Sequence, residues 1–245
     1  MKYITASAVF FSLIAPAISE DKPLLAIPGN VVLDAKLDSS PGDPWRAAKG
    51  KWEPVDGALK GSELPEDHHG AVLRATKTLG DCIVEVEVML DGARSTTLSM
   101  NAVKDHMARV VVTPKMITIQ RDDNDHEGPD KSIVFHRVAA DLQPGVWHKV
   151  RMELVGDTML GKVNDIVGWG SSELFTQPKA NPGVTVAGQS IRFRNFKIWE
   201  ATRNPAWDTV KETIKNEVMP VATPKGKGKA KANGKGKAKK AAAKE

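Results

Sequence analysis

The chain has 245 residues, with 35 lysines and arginines against 30 aspartates and glutamates, a formal charge of +5. That length suits one large β domain or two small ones and can bury a sizeable core without staples. A single cysteine, Cys82, excludes an intrachain disulfide, and its place in an alternating apolar run reads as a small buried hydrophobe.

The charge is uneven. Residues 220–245 hold nine lysines and one acid, a local charge of +8, so the remainder carries 26 basic and 29 acidic residues, or −3. The body is mildly acidic, and the overall basicity gives no argument for nucleic-acid binding by it.

In chain order, residues 1–19 read as a secretory signal. Lys2 supplies the positive start, Ala8 to Ala15 the short apolar region, and Ala17-Ile18-Ser19 the small-x-small cleavage site before Glu20. The apolar run is too short to span a bilayer. The expectation is an exported protein, periplasmic or extracellular, with no transmembrane segment. From Val31 onward come short strand-like runs broken by turn residues. Residues 71–76 form one. Residues 82–90 are the clearest: Cys82, Val84, Val86, Val88 and Leu90 face one way, and Ile83, Glu85, Glu87 and Met89 the other. Runs at 107–113 and 116–121 flank Pro114-Lys115, which reads as a hairpin turn. After 133–138, the runs 146–155 and 158–164 are separated by Gly156-Asp157, a second hairpin signal. The last run, 190–200, changes parity: Ile191 and Phe193 are followed by Phe196 and Ile198, which predicts a bulge at Arg194-Asn195.

Many short strands with regular turns and almost no helical period predict an all-β sandwich or barrel over residues 20–202. Asn204-Pro205 then looks like a helix start, and Trp207, Val210, Ile214 and Val218 fall at helical spacing, predicting a C-terminal helix over 203–219. Residues 220–245 are low-complexity Lys, Gly and Ala and predict a disordered basic tail. That tail is either a solvated extension or an electrostatic contact to a polyanion: nucleic acid, anionic polysaccharide or anionic cell surface. Without interleaved aromatics it offers no sequence-specific nucleic-acid binding.

Several segments together resemble a known family. They are Trp45-x6-Trp52 with Asp56-Gly57, Gly80-Asp-Cys-Ile-Val-Glu-Val-Glu-Val88, Pro144-Gly-Val-Trp-His-Lys-Val150, Val155-Gly-Asp157, Gly188-Gln-Ser190 and Arg194-Asn-Phe-Lys-Ile-Trp-Glu200. In this order they are similar to the bacterial 3-keto-disaccharide hydrolase domain family, formerly a domain of unknown function, over roughly Val31 to Ala201. The resemblance implies a concanavalin A-like (laminin-G-like) jelly-roll β-sandwich and a glycoside-cleaving activity on carbohydrate. The chain departs from the family at Ser95 to Asn101, where typical members carry Asn-Ser-Gly and an arginine. The resemblance therefore speaks for the sandwich more than for the activity.

The candidate chemistry is as follows. Glu85 and Glu87 lie two apart on one strand and project from the same face, about 6.5–7 Å apart, a workable separation for paired carboxylates. Glu87 also matches the glutamate of the family's strand motif. The alternative is the solvated half of an amphipathic strand. His69 and His106, each just before a strand-like run, are candidate general bases. Arg109, alternating with apolar neighbours, is a candidate sugar ligand, and Trp169, between two glycines, a candidate stacking platform. Asp123, Asp125 and Glu127 followed by Gly128 partly resemble a calcium loop, without the closing glutamate expected near Val134; a polar hairpin tip is the alternative. Asp123 and His126 could instead overhang the sugar face. No nucleophile elbow, phosphate-binding glycine loop or H-E-x-x-H motif is present. The leading expectation is a carbohydrate-directed hydrolase, the alternatives a non-catalytic carbohydrate-binding module or a surface adhesion protein tethered by its tail.

Overall fold

The computed structural model describes residues 24–123 and 131–220. The expected export signal, residues 124–130 and the basic stretch 221–245 lie outside the described residues. Sixteen strands run in chain order: β1 (Ala26–Ala35), β2 (Trp45–Lys49), β3 (Lys51–Val55), β4 (Ala58–Ser62), β5 (Ala71–Ala75), β6 (Thr78–Leu79), β7 (Cys82–Leu90), β8 (Ala93–Ala102), β9 (His106–Thr113), β10 (Met116–Arg121), β11 (Ile133–Ala139), β12 (Trp147–Val155), β13 (Thr158–Val163), β14 (Ile166–Ser171), β15 (Lys179–Gly188) and β16 (Ile191–Arg203). Among the described residues they form two eight-stranded antiparallel sheets. The first has the order β14-β13-β12-β7-β16-β4-β3, with β1 also pairing β16. The second has the order β11-β10-β9-β8-β15-β5-β2, with β6 also pairing β15. This is the jelly-roll sandwich that the alternation and the resemblance imply.

Why the sheets face each other is legible in β7. Val84, Val86, Val88 and Leu90 point inward and meet Leu98 and Met100 of β8, Val110 and Val112 of β9 and Ile119 of β10 in one buried cluster. Both expected hairpins are present, β9–β10 across Pro114-Lys115 and β12–β13 across Gly156-Asp157. The expected bulge is present too: the β16–β7 register shifts between Arg194 and Lys197, and Asn195 takes a positive φ of 53°. Asparagine tolerates this left-handed conformation better than most side chains. The bulge places Ile191, Phe193, Phe196 and Ile198 all in the core.

The outer face of the first sheet carries a second, smaller core. Ile83 of β7, Leu160 of β13, Leu25, Ala26 and Trp207 are buried together there. Trp207 opens α1 (Trp207–Val210), the only α-helix among the described residues. The helix expected to reach residue 219 ends sooner, in a 3-10 turn at Lys211–Thr213. Beyond that point Ile214 still packs against the Trp207 cluster, and the chain then continues extended. Asn216 accepts the Trp169 amide at 3.1 Å and donates to the Trp169 carbonyl at 2.6 Å, on the edge strand of the first sheet. Val218 then pairs in parallel with Arg137, on the edge strand of the second sheet. The segment thus straps the two sheets together along one side and covers edge groups that would otherwise stay unpaired. Among the described residues no helix is long and apolar enough to cross a membrane.

The strap contains a titrating joint. The Glu217 amide donates to Nδ1 of buried His136 at 3.0 Å. Burial holds this imidazole below its ordinary value of 6.5, with Glu217 partly opposing the shift. The neutral ring is the form that accepts the amide, so its contribution is present above the unfolded value and is lost as pH falls through the lower folded one. Denaturation midpoints should fall as pH drops below about 6.5. In His136→Leu this part of the pH slope should vanish, which urea titrations across that range would show.

Candidate functional site

The outer face of the second sheet is organised by register into a polar row. Arg46 of β2 lies beside Arg74 of β5, Arg74 beside Gly183 of β15, and Gly183 beside Ser99 of β8. Ser99 lies beside Arg109 of β9, and Arg109 beside Gln120 of β10. These residues face outward because their neighbours Leu73, Val184, Leu98, Val110 and Ile119 fill the core.

Gly183 makes room for the centre of the row. A Cβ there would lie 2.1 Å from the Leu73 carbonyl oxygen and 2.9 Å from Cδ of Arg74. With no side chain in the way, Arg74 lies flat across the sheet and donates from Nη1 to Ser99 Oγ at 2.5 Å, while Ser99 Oγ donates to the Gly183 carbonyl at 3.3 Å. Arg74 is only 7% exposed. Burial above all, and then the neighbouring Arg109 and Arg46, push its guanidinium down to about 10, with Asp122 partly opposing. It remains a cation at neutral pH. Arg109 differs in having a counter-ion, the buried Asp122, whose Oδ2 lies 2.5 Å from Nε.

Two adjoining cavities open on this face. One, of about 300 Å³, is lined by His69, Val72, Arg74, His106, Arg109 and Thr185 among others. The other, of about 680 Å³, is lined by Glu63, His68, His69, Arg94 and Gln189 among others. His69 and Gly70 border both. The local chain explains this position. A 3-10 turn at Pro65–Asp67, closed by His68 in the left-handed region and by the Leu64–His69 bridge, brings His69 to the head of β5. His69 Nδ1 lies 2.7 Å from the Gly70 carbonyl oxygen. A carbonyl only accepts, so Nδ1 carries the proton, and the lone pair of the neutral ring sits on Nε2.

The structure therefore brings His69, His106 and Arg109 together around one cavity. It does not bring Glu85 and Glu87 to them. Both project from the first sheet, on the opposite side of the sandwich from His69 and His106. Glu85 lies 3.2 Å from Lys149 and 3.4 Å from Arg151. Glu87 accepts from Arg194 Nε at 2.7 Å and from Asn195 Nδ2 at 2.9 Å, so it clamps the bulge of β16. The cause is strand order: β7 pairs with β12 and β16, whose outward cations meet its outward carboxylates. Trp169 is likewise no exposed platform. It packs edge-on against Trp207, centroids 5.5 Å apart, on the outer side of the first sheet.

Asp123 follows Asp122 just past the end of β10. Asp125, His126 and Glu127, the rest of the suggested calcium and sugar contacts, lie outside the described residues. Among the described residues no group of three or more His, Cys, Asp or Glu side chains is arranged to hold a metal. Sequence reasoning missed Arg74, Ser99 and Asp122. The available signal was an arginine inside the otherwise apolar run Ala71-Val-Leu-Arg-Ala75. The segment where the chain departs from its family, Ser95 to Asn101, supplies Thr97 and Ser99 to this floor, with Thr97 Oγ1 2.7 Å from Thr185 Oγ1.

Solved structures share this fold. The carbohydrate-binding module CBM66 from Bacillus subtilis superposes with a TM-score of 0.52 at 13% identity, over 64% of this chain and 96% of its own. A protein of unknown function with a galectin-like fold from Bacillus subtilis gives 0.54 at 12%, over 74% and 100%. SCLam, a non-specific endo-beta-1,3(4)-glucanase of family GH16, gives 0.54 at 11%, over 74% and 96%. At these identities the likeness establishes the fold, a concanavalin A-like sandwich. No curated protein matches the chain. The 3-keto-alpha-glucoside-1,2-lyase-like domain matches residues 33–199, and the chain belongs to that family of carbohydrate-active domains.

The packing at Gly183 has a direct consequence. Gly183→Ala drives a methyl into the Leu73 carbonyl and the Arg74 stem. Unfolding by urea should show a loss of about 1–3 kcal/mol, the usual range for overpacking.

Proposed function

We propose that the protein is an exported glycoside-cleaving enzyme that acts on 3-keto sugars at the outer face of its second sheet. The observation that carries this reading is His69, which lines both cavities and whose Nδ1 is tied to the Gly70 carbonyl. Family membership supports the substrate class. The small-x-small pattern at 17–19 supports export.

A ketone at C3 makes the hydrogen on C2 acidic. In the proposed reaction His69 Nε2 takes that proton, and the C2–H electrons pass into an enolate with its charge on the C3 oxygen. Arg109, which lines the same cavity, stabilises that oxyanion. Collapse of the enolate forms the C1–C2 double bond and breaks the C1–O bond, and the leaving oxygen takes a proton from His106. Addition of water across the new double bond then gives net hydrolysis, so elimination and hydrolysis share their first step. Asp122 acts as a positioning residue, holding the Arg109 guanidinium through its buried ion pair.

Turnover of a 3-keto-α-glucoside, followed by enone absorbance and released alcohol, tests the reading. His69→Gln should lower kcat by about 10²–10⁴-fold, the usual weight of a general base. Glu87→Gln should leave kcat unchanged. Full activity in His69→Gln, or loss confined to Glu87→Gln with the fold intact, contradicts the assignment. Sugar binding at this face with no turnover of any keto or ordinary glycoside would instead make the protein a binding module.

A further inference from the structure

We propose that this face selects an acidic sugar, with the carboxylate of a uronic acid docking on Arg74. The inference deepens the site proposed above and rests on it only for the sugar.

A buried guanidinium is normally paired with a carboxylate, because an isolated buried charge is strongly unfavourable. Arg74 is buried, and its side-chain hydrogen-bond partner among the described residues is a neutral hydroxyl, Ser99 Oγ. The Asp122 carboxylate close by is taken by Arg109. Among the described residues the register row holds three cations, Arg46, Arg74 and Arg109, and the ion pair recorded on it is that of Arg109 with Asp122. The depressed basicity of Arg74 reflects the same arrangement, since burial and two neighbouring cations cause it.

A second observation gives the charge somewhere to act. Arg74 lines the cavity of about 300 Å³ and shares it with His69, the proposed base. One nitrogen of the fork is held by Ser99, which fixes the plane of the guanidinium and leaves the rest of its donors to a ligand. A planar fork matches a carboxylate in two parallel hydrogen bonds. Gly183 completes the device, because any side chain there would displace the arginine. Sulfate esters share the charge but are tetrahedral and meet the fork less well.

The test is calorimetric binding to the whole protein of methyl glucuronide, methyl glucoside and a glucoside 6-sulfate, at low and at high salt. The glucuronide should bind at least about tenfold tighter than the glucoside, the scale of one charge-assisted bidentate pair. The advantage should shrink with salt. Arg74→Met, close in length and apolar, should abolish the preference for glucuronide over glucoside. Arg46→Ala, at an exposed position, should reduce it. Equal affinity for glucuronide and glucoside, or a preference that survives in folded Arg74→Met, overturns the proposal. A sulfate preferred over the carboxylate also overturns it. If Arg74→Met does not fold, the wild-type comparison decides alone. Cleavage of a neutral 3-keto glycoside without acidic preference would sink this inference and leave the proposed function standing, and acidic preference without cleavage would do the reverse.

Discussion

The bulge at Asn195 is the constraint on which the rest depends. β16 must pair with β7 on both sides of the bulge, from Ile191 to Glu200, with β4 at one end and with β1 at the other. A regular strand would carry Ile191 and Phe193 into the core and turn Phe196 and Ile198 out to water. One residue in the left-handed region lets all four point inward. Three contacts hold it: the Asn195 amide to the Lys36 carbonyl at 3.0 Å, Asn195 Nδ2 to Glu87, and Arg194 to Glu87. Arg194 also lies over the Trp147 ring, 4.1 Å from its centroid. A glutamate that looks catalytic in sequence thus anchors the strand that closes the sheet.

That anchoring divides labour between the two sheets. The outer face of the first is committed to structure, through its ion pairs, the small core around Trp207 and the strap that runs on to β11. The outer face of the second keeps cavities and the buried cation Arg74. A sandwich hides only two of its four faces, and covering a third leaves one for a ligand. Cys82 has no part in this, since burial pushes its thiol up to about 12.

How much was legible follows from the range of each signal. Alternation, hairpin turns and the bulge are local, and the residues from Cys82 to Leu90 and from Ile191 to Ile198 displayed them directly. Which sheet a strand joins is not local. Glu85 and Glu87 read correctly as one face of one strand, but only the pairing of β7 with β12 and β16 says which cations they meet. Val218 kept helical spacing without a helix, because backbone pairing with Arg137 decides the conformation there, while Ile214 does pack with Trp207 and Val210. Trp169 looked open between its glycines, and the chain that covers it comes back 38 residues later, from Trp207. Arg74 was hidden for the opposite reason: in an apolar run it reads as an exception, and its meaning emerges only beside Ser99, Gly183 and Arg109.

The most direct test of the central claim, that sugar is handled on the second sheet and not beside Glu87, is a side-chain NMR titration with a bound sugar. It would follow the imidazole signals of His69 and His106 together with the indole N–H of Trp147. The account predicts that both imidazoles shift with ligand while the Trp147 indole stays fixed. A shift of the Trp147 indole with silent histidines would place the ligand on the first sheet and contradict it.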